Sequence, residues 1–168
     1  PDFEGFTSEM KSEGVHLVPI IDAGVKIEKD YPIYEEGVKE NYFCKDENGK
    51  DFVAAVWPGK VHFPDVLNSK AREWFGGKYR WLMEQGIEGF WNDMNEPAIF
   101  YSEERLKKAF EELLSMKDEN LDLNSFSHIK DLVMGLSNSP EDYKSFYHNM
   151  DGKWICHEKV HNLYGFNM

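Results

Sequence analysis

The sequence predicts an α/β fold built on parallel strands, either an α/β barrel or an open parallel sheet, and three observations carry that expectation. One pattern occurs twice: a helix, a glycine, a short apolar run and then an aspartate, with Gly14 leading to Asp22 and Gly86 leading to Asp93. The first run, Val15 to Ile21, is nearly all apolar and rich in β-branched residues, as befits a strand covered on both faces. Each run also ends in a carboxylate, and in parallel α/β folds ligands collect beyond the carboxyl ends of the strands.

Phe3, Phe6 and Met10 recur at helical spacing, and Gly14 stands where a left-handed helix end favours glycine. In the second unit, Ser69 can cap a helix that carries Ala71, Trp74, Phe75, Tyr79 and Leu82 on one face and closes at Gly86. Gly76-Gly77 weakens that helix. Ile87 to Trp91 then forms the second strand, ended by Asn92-Asp93.

Two excursions interrupt this plan, at about residues 24–66 and 98–150. The first places Asn48-Gly49 between β-favouring runs, which predicts a hairpin over Tyr42 to Val53, and continues through Trp57-Pro58-Gly59 and His62-Phe63-Pro64-Asp65. So long a connection between a strand and its helix is commonly a lid or a wall of a site. The second carries an amphipathic helix with Leu106, Ala109, Phe110, Leu113 and Leu114 on its apolar side, after Ser102-Glu103-Glu104. Ser139-Pro140-Glu141-Asp142 predicts another helix start, from which Phe146 and Tyr147 pack inward. Val160, Leu163, Tyr164 and Phe166 predict a last helix within Trp154 to Met168.

Composition narrows the function. With 19 Lys plus Arg against 31 Asp plus Glu, the net charge of −12 repels phosphate backbones and anionic lipid, so neither nucleic acid nor membrane is an expected partner. Cys44 and Cys156 are the only cysteines and form no paired motif; a reducing compartment, the cytoplasm, is the expectation. Trp, Tyr and Phe together reach 15%, enough rings for a large core or for a surface that stacks on sugars.

The chemistry concentrates in Gly89 to Pro97. Asp93, flanked by Trp91 and Met94, stands where a strand's last residue projects into a pocket, as nucleophile, general base, metal ligand, or simply the cap of a following helix. Trp91, Asp93, Asn95 and Glu96 crowd a ring and three polar groups into six positions, costly to bury unless they bind something polar. Phe90-Trp91-Asn92-Asp93-Met94-Asn95-Glu96 resembles the motif of glycoside hydrolase family 31, the α-glucosidase family, at the end of the fourth barrel strand. Ile20-Ile21-Asp22, Val56-Trp57-Pro58-Gly59, Phe63-Pro64-Asp65 and His161-Asn162-Leu163-Tyr164-Gly165 follow the family's order. Ala23 departs from it, where the family commonly has proline.

The resemblance implies a partial (β/α)8 TIM barrel, about two strand–helix units with the two insertions, so that residues 1–168 are expected to be a fragment of a catalytic barrel. It implies a retaining α-glycosidase that removes terminal α-linked glucose from oligosaccharides, with Asp93 as nucleophile. Asp22, Trp57, Trp91 and Met94 would bind the terminal sugar, and Glu96 would orient Asp93. The acid/base of the family lies on a later strand, so the chain alone is expected to be inactive, to have the remainder of the enzyme as its partner, and to self-associate along exposed sheet edges. No metal and no cofactor is expected. Two other classes remain open. His157-Glu158-Lys159-Val160-His161 fits the His-Glu-x-x-His pattern of a zinc metallopeptidase, although Lys159 sets a cation beside the would-be metal. A non-catalytic glycan-binding module would also use the aromatic, acidic surface.

Overall fold

The computed structural model describes residues 2–117 and 122–168. In chain order the elements are α1 (Phe3–Ser12), β1 (Ile20–Asp22), β2 (Val25–Lys26), α2 (Pro32–Lys39), β3 (Lys45–Asp46), β4 (Ala54–Val56), β5 (Gly59–His62), α3 (Ser69–Glu84), β6 (Trp91–Asp93), β7 (Tyr101–Ser102), α4 (Glu103–Ser115), α5 (Leu123–Met134), β8 (Phe146–Met150), β9 (Lys153–Cys156) and α6 (His161–Asn167).

The repeated unit is present. β1 and β6 pair in parallel, and both Gly14 and Gly86 take positive φ, at 78° and 97°. Gly86 is needed twice over, because a Cβ there would also stand 2.7 Å from Thr7 Oγ1, the buried side chain through which α1 packs on the end of α3. The expectation that the first run is covered on both faces is corrected: Val18 and Ile20 are each 55% exposed. The physical reason is that the ladder is only three residues long, and among the described residues β1 and β6 pair with nothing but each other, so no closed barrel forms.

The excursions hold the core. β2, β5, β4 and β7 make one antiparallel sheet, and β3, β8 and β9 make another. Each sheet takes strands from both excursions: β7 pairs with β4, and β8 pairs with β3. Between them lie Phe43, Phe52, Val61, Phe63, Phe146 and Tyr164, all buried. Phe146 stacks on Phe52 at 4.6 Å, and the Tyr164 hydroxyl donates to the Pro64 carbonyl at 2.9 Å. α2, which composition did not reveal, starts on Pro32 and brings Gly37 against the Phe43 ring, where a Cβ would stand 2.3 Å from Cζ.

Several local expectations give way to long-range pairing. The Asn48-Gly49 turn forms, with Asp46 Oδ1 accepting from the Asn48 and Lys50 N–H groups, and its arms join in a short bridge at Lys45–Asp51, where the Phe52 N–H donates to the Cys44 carbonyl at 2.9 Å and the Asp46 N–H to the Lys50 carbonyl at 2.7 Å, while the other edge of β3 pairs with β8. Ser139 does cap Glu141, yet the helix it starts is only a short 3-10 turn, and Phe146 and Tyr147 sit in β8 rather than on a helix. β8 turns into β9 over Asp151-Gly152, both at positive φ, the geometry that Asp-Gly serves in hairpins. Trp154 to Cys156 is therefore strand, and the last helix begins only at His161.

α3 runs unbroken through Gly76 and Gly77, and its cap is Asn68, not Ser69: Asn68 Oδ1 accepts from the Lys70 and Ala71 N–H groups at 3.0 and 3.2 Å. Both glycines are exposed and have nothing within 4 Å of a Cβ position. Gly76→Ala is expected to stabilise the fold by about 0.5–1 kcal/mol, since alanine loses less backbone entropy in a helix. Urea denaturation measures this, and a lower midpoint would contradict it.

Candidate active site

The strand period sorts the residues of β1 and β6 onto two faces. Ile21 and Asn92 face α3: Ile21 packs on the core, and Asn92 Oδ1 accepts from the Tyr79 hydroxyl at 2.9 Å. Desolvation pushes the Tyr79 hydroxyl up to about 12, which keeps it a neutral donor. Ile20, Asp22, Trp91 and Asp93 therefore lie on the opposite face. The parallel register sets Asp22 level with Asp93 and Ile20 level with Trp91. Two carboxylates thus stand side by side at the carboxyl ends of two strands, with the Trp91 ring one step behind and 56% exposed.

Their backbone surroundings depend on the chain that leaves each strand. After Asp93 the chain turns sharply: Met94 has φ 52°, its N–H donates to Asp93 Oδ1 at 3.0 Å, and its side chain packs on the core. After Asp22 the chain passes Gly24, where a Cβ would meet Val56 Cγ2 at 2.9 Å. The β4–β5 hairpin sits there, and its other flank is fixed by the Phe100 N–H donating to the Ala55 carbonyl at 3.0 Å. Trp57 at the hairpin tip is 73% exposed and meets the Phe100 ring edge to face at 5.0 Å. The hairpin carrying Trp57 is thereby clamped between the segments beyond the two aspartates.

Glu96 is placed differently. Its side chain is exposed, no hydrogen bond joins it to Asp93 among the described residues, and its charge, after desolvation, helps push the Tyr143 hydroxyl up. At Asp22, desolvation and then the charge of Asp93 push the carboxyl up. The repulsion between the two acids is a cost of the empty site at neutral pH, and hydroxyl donors placed between them would relieve it. A cavity of about 700 Å³ lies between β1, α2 and α3, with Ile21, Asp22, Tyr31, Phe75, Tyr79 and Leu82 in its mostly apolar wall, and Asp93 does not line it.

The zinc reading of His157-Glu158-x-x-His161 is corrected. His157 lies in a 3-10 turn, and Val160, at φ −130°, separates it from α6, so the two histidines do not share a helix. His157 Nε2 meets His161 Nδ1 at 2.9 Å and its Nδ1 meets His148 Nε2 at 2.8 Å, so both ring nitrogens of His157 are occupied by other rings. Cys44, Asp65 and His148 also place donor atoms within 4.8 Å of one another. There the His148 Nδ1 to Asp65 Oδ1 separation of 2.8 Å is a hydrogen bond, shorter than the roughly 3.3 Å kept by two ligands on one tetrahedral zinc. Sequence reading did not anticipate this histidine line, because its members come from three separate segments.

Comparisons with known proteins identify the family. The family described as "Glycosyl hydrolases family 31 TIM-barrel domain" matches over residues 1–168. Alpha-glucosidase 2 of Bacillus thermoamyloliquefaciens is 34% identical over 168 residues, which is 100% of this chain and 17% of that protein. An alpha-glucosidase of Saccharolobus solfataricus is 28% identical over 98% of this chain and 21% of its own length. Among solved structures, the glucosidase II alpha subunit bound to DNJ has a TM-score of 0.65 at 27% identity, over 99% of this chain and 14% of that one. The chain thus spans about a fifth or less of the length of these relatives. With the motif residues in place on β6, the chain belongs to the TIM-barrel domain family of glycosyl hydrolases family 31.

Proposed function

We propose that residues 1–168 supply the nucleophile strand and part of the terminal-sugar subsite of a retaining α-glucosidase acting on oligosaccharides with α-linked glucose. The observation that carries this is the level pairing of Asp22 with Asp93 at the strand ends, in a chain whose relatives include α-glucosidases. Asp93 attacks the anomeric carbon from the β face and forms a β-glycosyl ester while the leaving oxygen takes a proton. Water then attacks the same carbon from the α side and releases the sugar with its configuration retained. Asp22 accepts hydrogen bonds from the terminal sugar's hydroxyls, Trp91 and Trp57 offer ring faces, and Met94 holds the floor under Asp93.

Retention needs a second carboxylic acid about 5–5.5 Å from the nucleophile. Glu96, whose charge is felt at Tyr143, is not that acid in this reading; three residues beyond the nucleophile, it supports the orientation of Asp93. The partner acid then comes from barrel segments outside residues 1–168, which also cover the free edges of β1 and β6, and these 168 residues alone do not turn over substrate.

A 5-fluoro-α-glucosyl fluoride tests the assignment in the full-length enzyme. Fluoride departs without protonation, so labelling reports the nucleophile and its subsite rather than the partner acid. Peptide mapping should recover the ester on Asp93. An ester on any other residue would overturn the assignment, and sugar binding without any label would favour a glycan-binding module.

A further inference from the structure

The interior holds a line of titratable side chains that the chemistry above does not use. Asp65, just after β5, accepts at Oδ2 from the Asn149 N–H at 2.7 Å and faces His148 Nδ1 at 2.8 Å with Oδ1. His148 Nε2 faces His157 Nδ1 at 2.8 Å, and His157 Nε2 faces His161 Nδ1 at 2.9 Å. Asp65, His148 and His157 are buried while His161 is half-buried, so the line runs from an interior carboxylate to the edge of solvent.

Its direction is set by donor counting. A carboxylate only accepts, and a neutral imidazole has one donor and one acceptor nitrogen. With three neutral rings, His148 donates from Nδ1 to Asp65, His157 from Nδ1 to His148, and His161 from Nδ1 to His157, which leaves His161 Nε2 bare. When a proton arrives there, His161 can pass its Nδ1 proton to His157 Nε2, and His157 can pass its own Nδ1 proton to His148 Nε2. One proton enters, two hop, and the charge rests on His148 beside Asp65. The Asp65 carboxylate favours that end, because the buried charge on His148 is paired there with an opposite one at hydrogen-bond distance. His157 cannot keep the charge: burial first, then His148 and His161, hold its imidazole down at about 3.

The hops also move the N–H of His157 from Nδ1 to Nε2. The other ionisable groups facing the line are Cys44, 3.5 Å from His148 Nδ1, with the Lys45–Asp51 pair beyond it; Tyr164, its ring 5.6 and 5.8 Å from His148 and His157; and Tyr143, its ring 5.2 and 4.5 Å from His157 and His161. Desolvation pushes the Cys44 thiol and both tyrosine hydroxyls up, so they stay neutral.

We propose that Asp65, His148, His157 and His161 form a directional proton relay, which stores a proton taken up at His161 as a buried His148–Asp65 ion pair and reverses the His157–His161 hydrogen bond, so that His157 donates from Nε2 to His161 Nδ1. The inference stands on this geometry and does not depend on the glycosidase reading.

Long-range ¹H–¹⁵N spectra of the chain, with imidazole resonances assigned, test it from about pH 8 to about pH 5, where imidazoles ordinarily change charge. His157 and His161 should both carry their proton on Nδ1 at the alkaline end and on Nε2 at the acid end, while His148 gains its second proton, all with one midpoint. Asp65→Asn should abolish the switch, and if that variant does not fold, His161→Gln should leave His157 on Nδ1 throughout. A His157 tautomer constant with pH, or protonation of His161 alone, would overturn the proposal.

Discussion

Asp93→Asn is expected to lower turnover of p-nitrophenyl α-glucoside by the full-length enzyme on the order of 10⁴-fold or more, because the amide is nearly isosteric but cannot form the glycosyl ester. The local structure should survive, since the amide oxygen can still accept the Met94 N–H that now reaches Asp93 Oδ1. Unchanged melting with lost turnover would assign the effect to chemistry. A variant within about tenfold of the parent would exclude Asp93 as the nucleophile, as a missing nucleophile ordinarily costs far more.

The second large effect concerns stability. Phe146→Ala is expected to cost about 3–5 kcal/mol, the range for emptying a well-packed aromatic site. The Phe146 ring has 0% exposure and is stacked between Phe52 at 4.6 Å and the His157 ring at 4.3 Å, so neither neighbour can collapse into the space without leaving its own strand or turn. Urea denaturation of the chain measures it through the midpoint. A loss below about 1 kcal/mol would show that the sheets formed by the excursions are not what holds the chain together.

What can be read from the sequence is local or repeated. Gly14 and Gly86 punctuate the two units because each ends a helix at positive φ, and the aspartates beyond them come level in the parallel register. Periodicity finds α1, α3 and α4. It fails where partners are distant in sequence. Nothing near Lys45 says that its strand, besides folding back across Asn48-Gly49 to Asp51, also joins Tyr147 on its other edge, and β8 overrides the helix start at Ser139-Pro140 because its partners are equally distant. The Asp151-Gly152 turn is legible, but the helical spacing of later residues outweighs it. The apolar residues of β1 suggest a covered strand, but burial depends on neighbouring strands, which residue order does not describe. In the candidate site, the motif identifies Asp93 and Trp91, while the line from Asp65 to His161 is visible only once β8 and α6 are folded against the turn before α3.

The shared sheets also constrain how this part of the protein can diverge. Because β7 and β8, from the later excursion, complete sheets begun by β4 and β3 of the earlier one, neither excursion can be shortened, swapped with a relative's, or opened by a foreign insertion at its paired strands without unzipping the other. In recombination between relatives, the two behave as a single inherited block even though a barrel strand and its helix separate them in the gene. Crossovers would be tolerated between Ser69 and Asp93 only when both parents carry matching strands on either side.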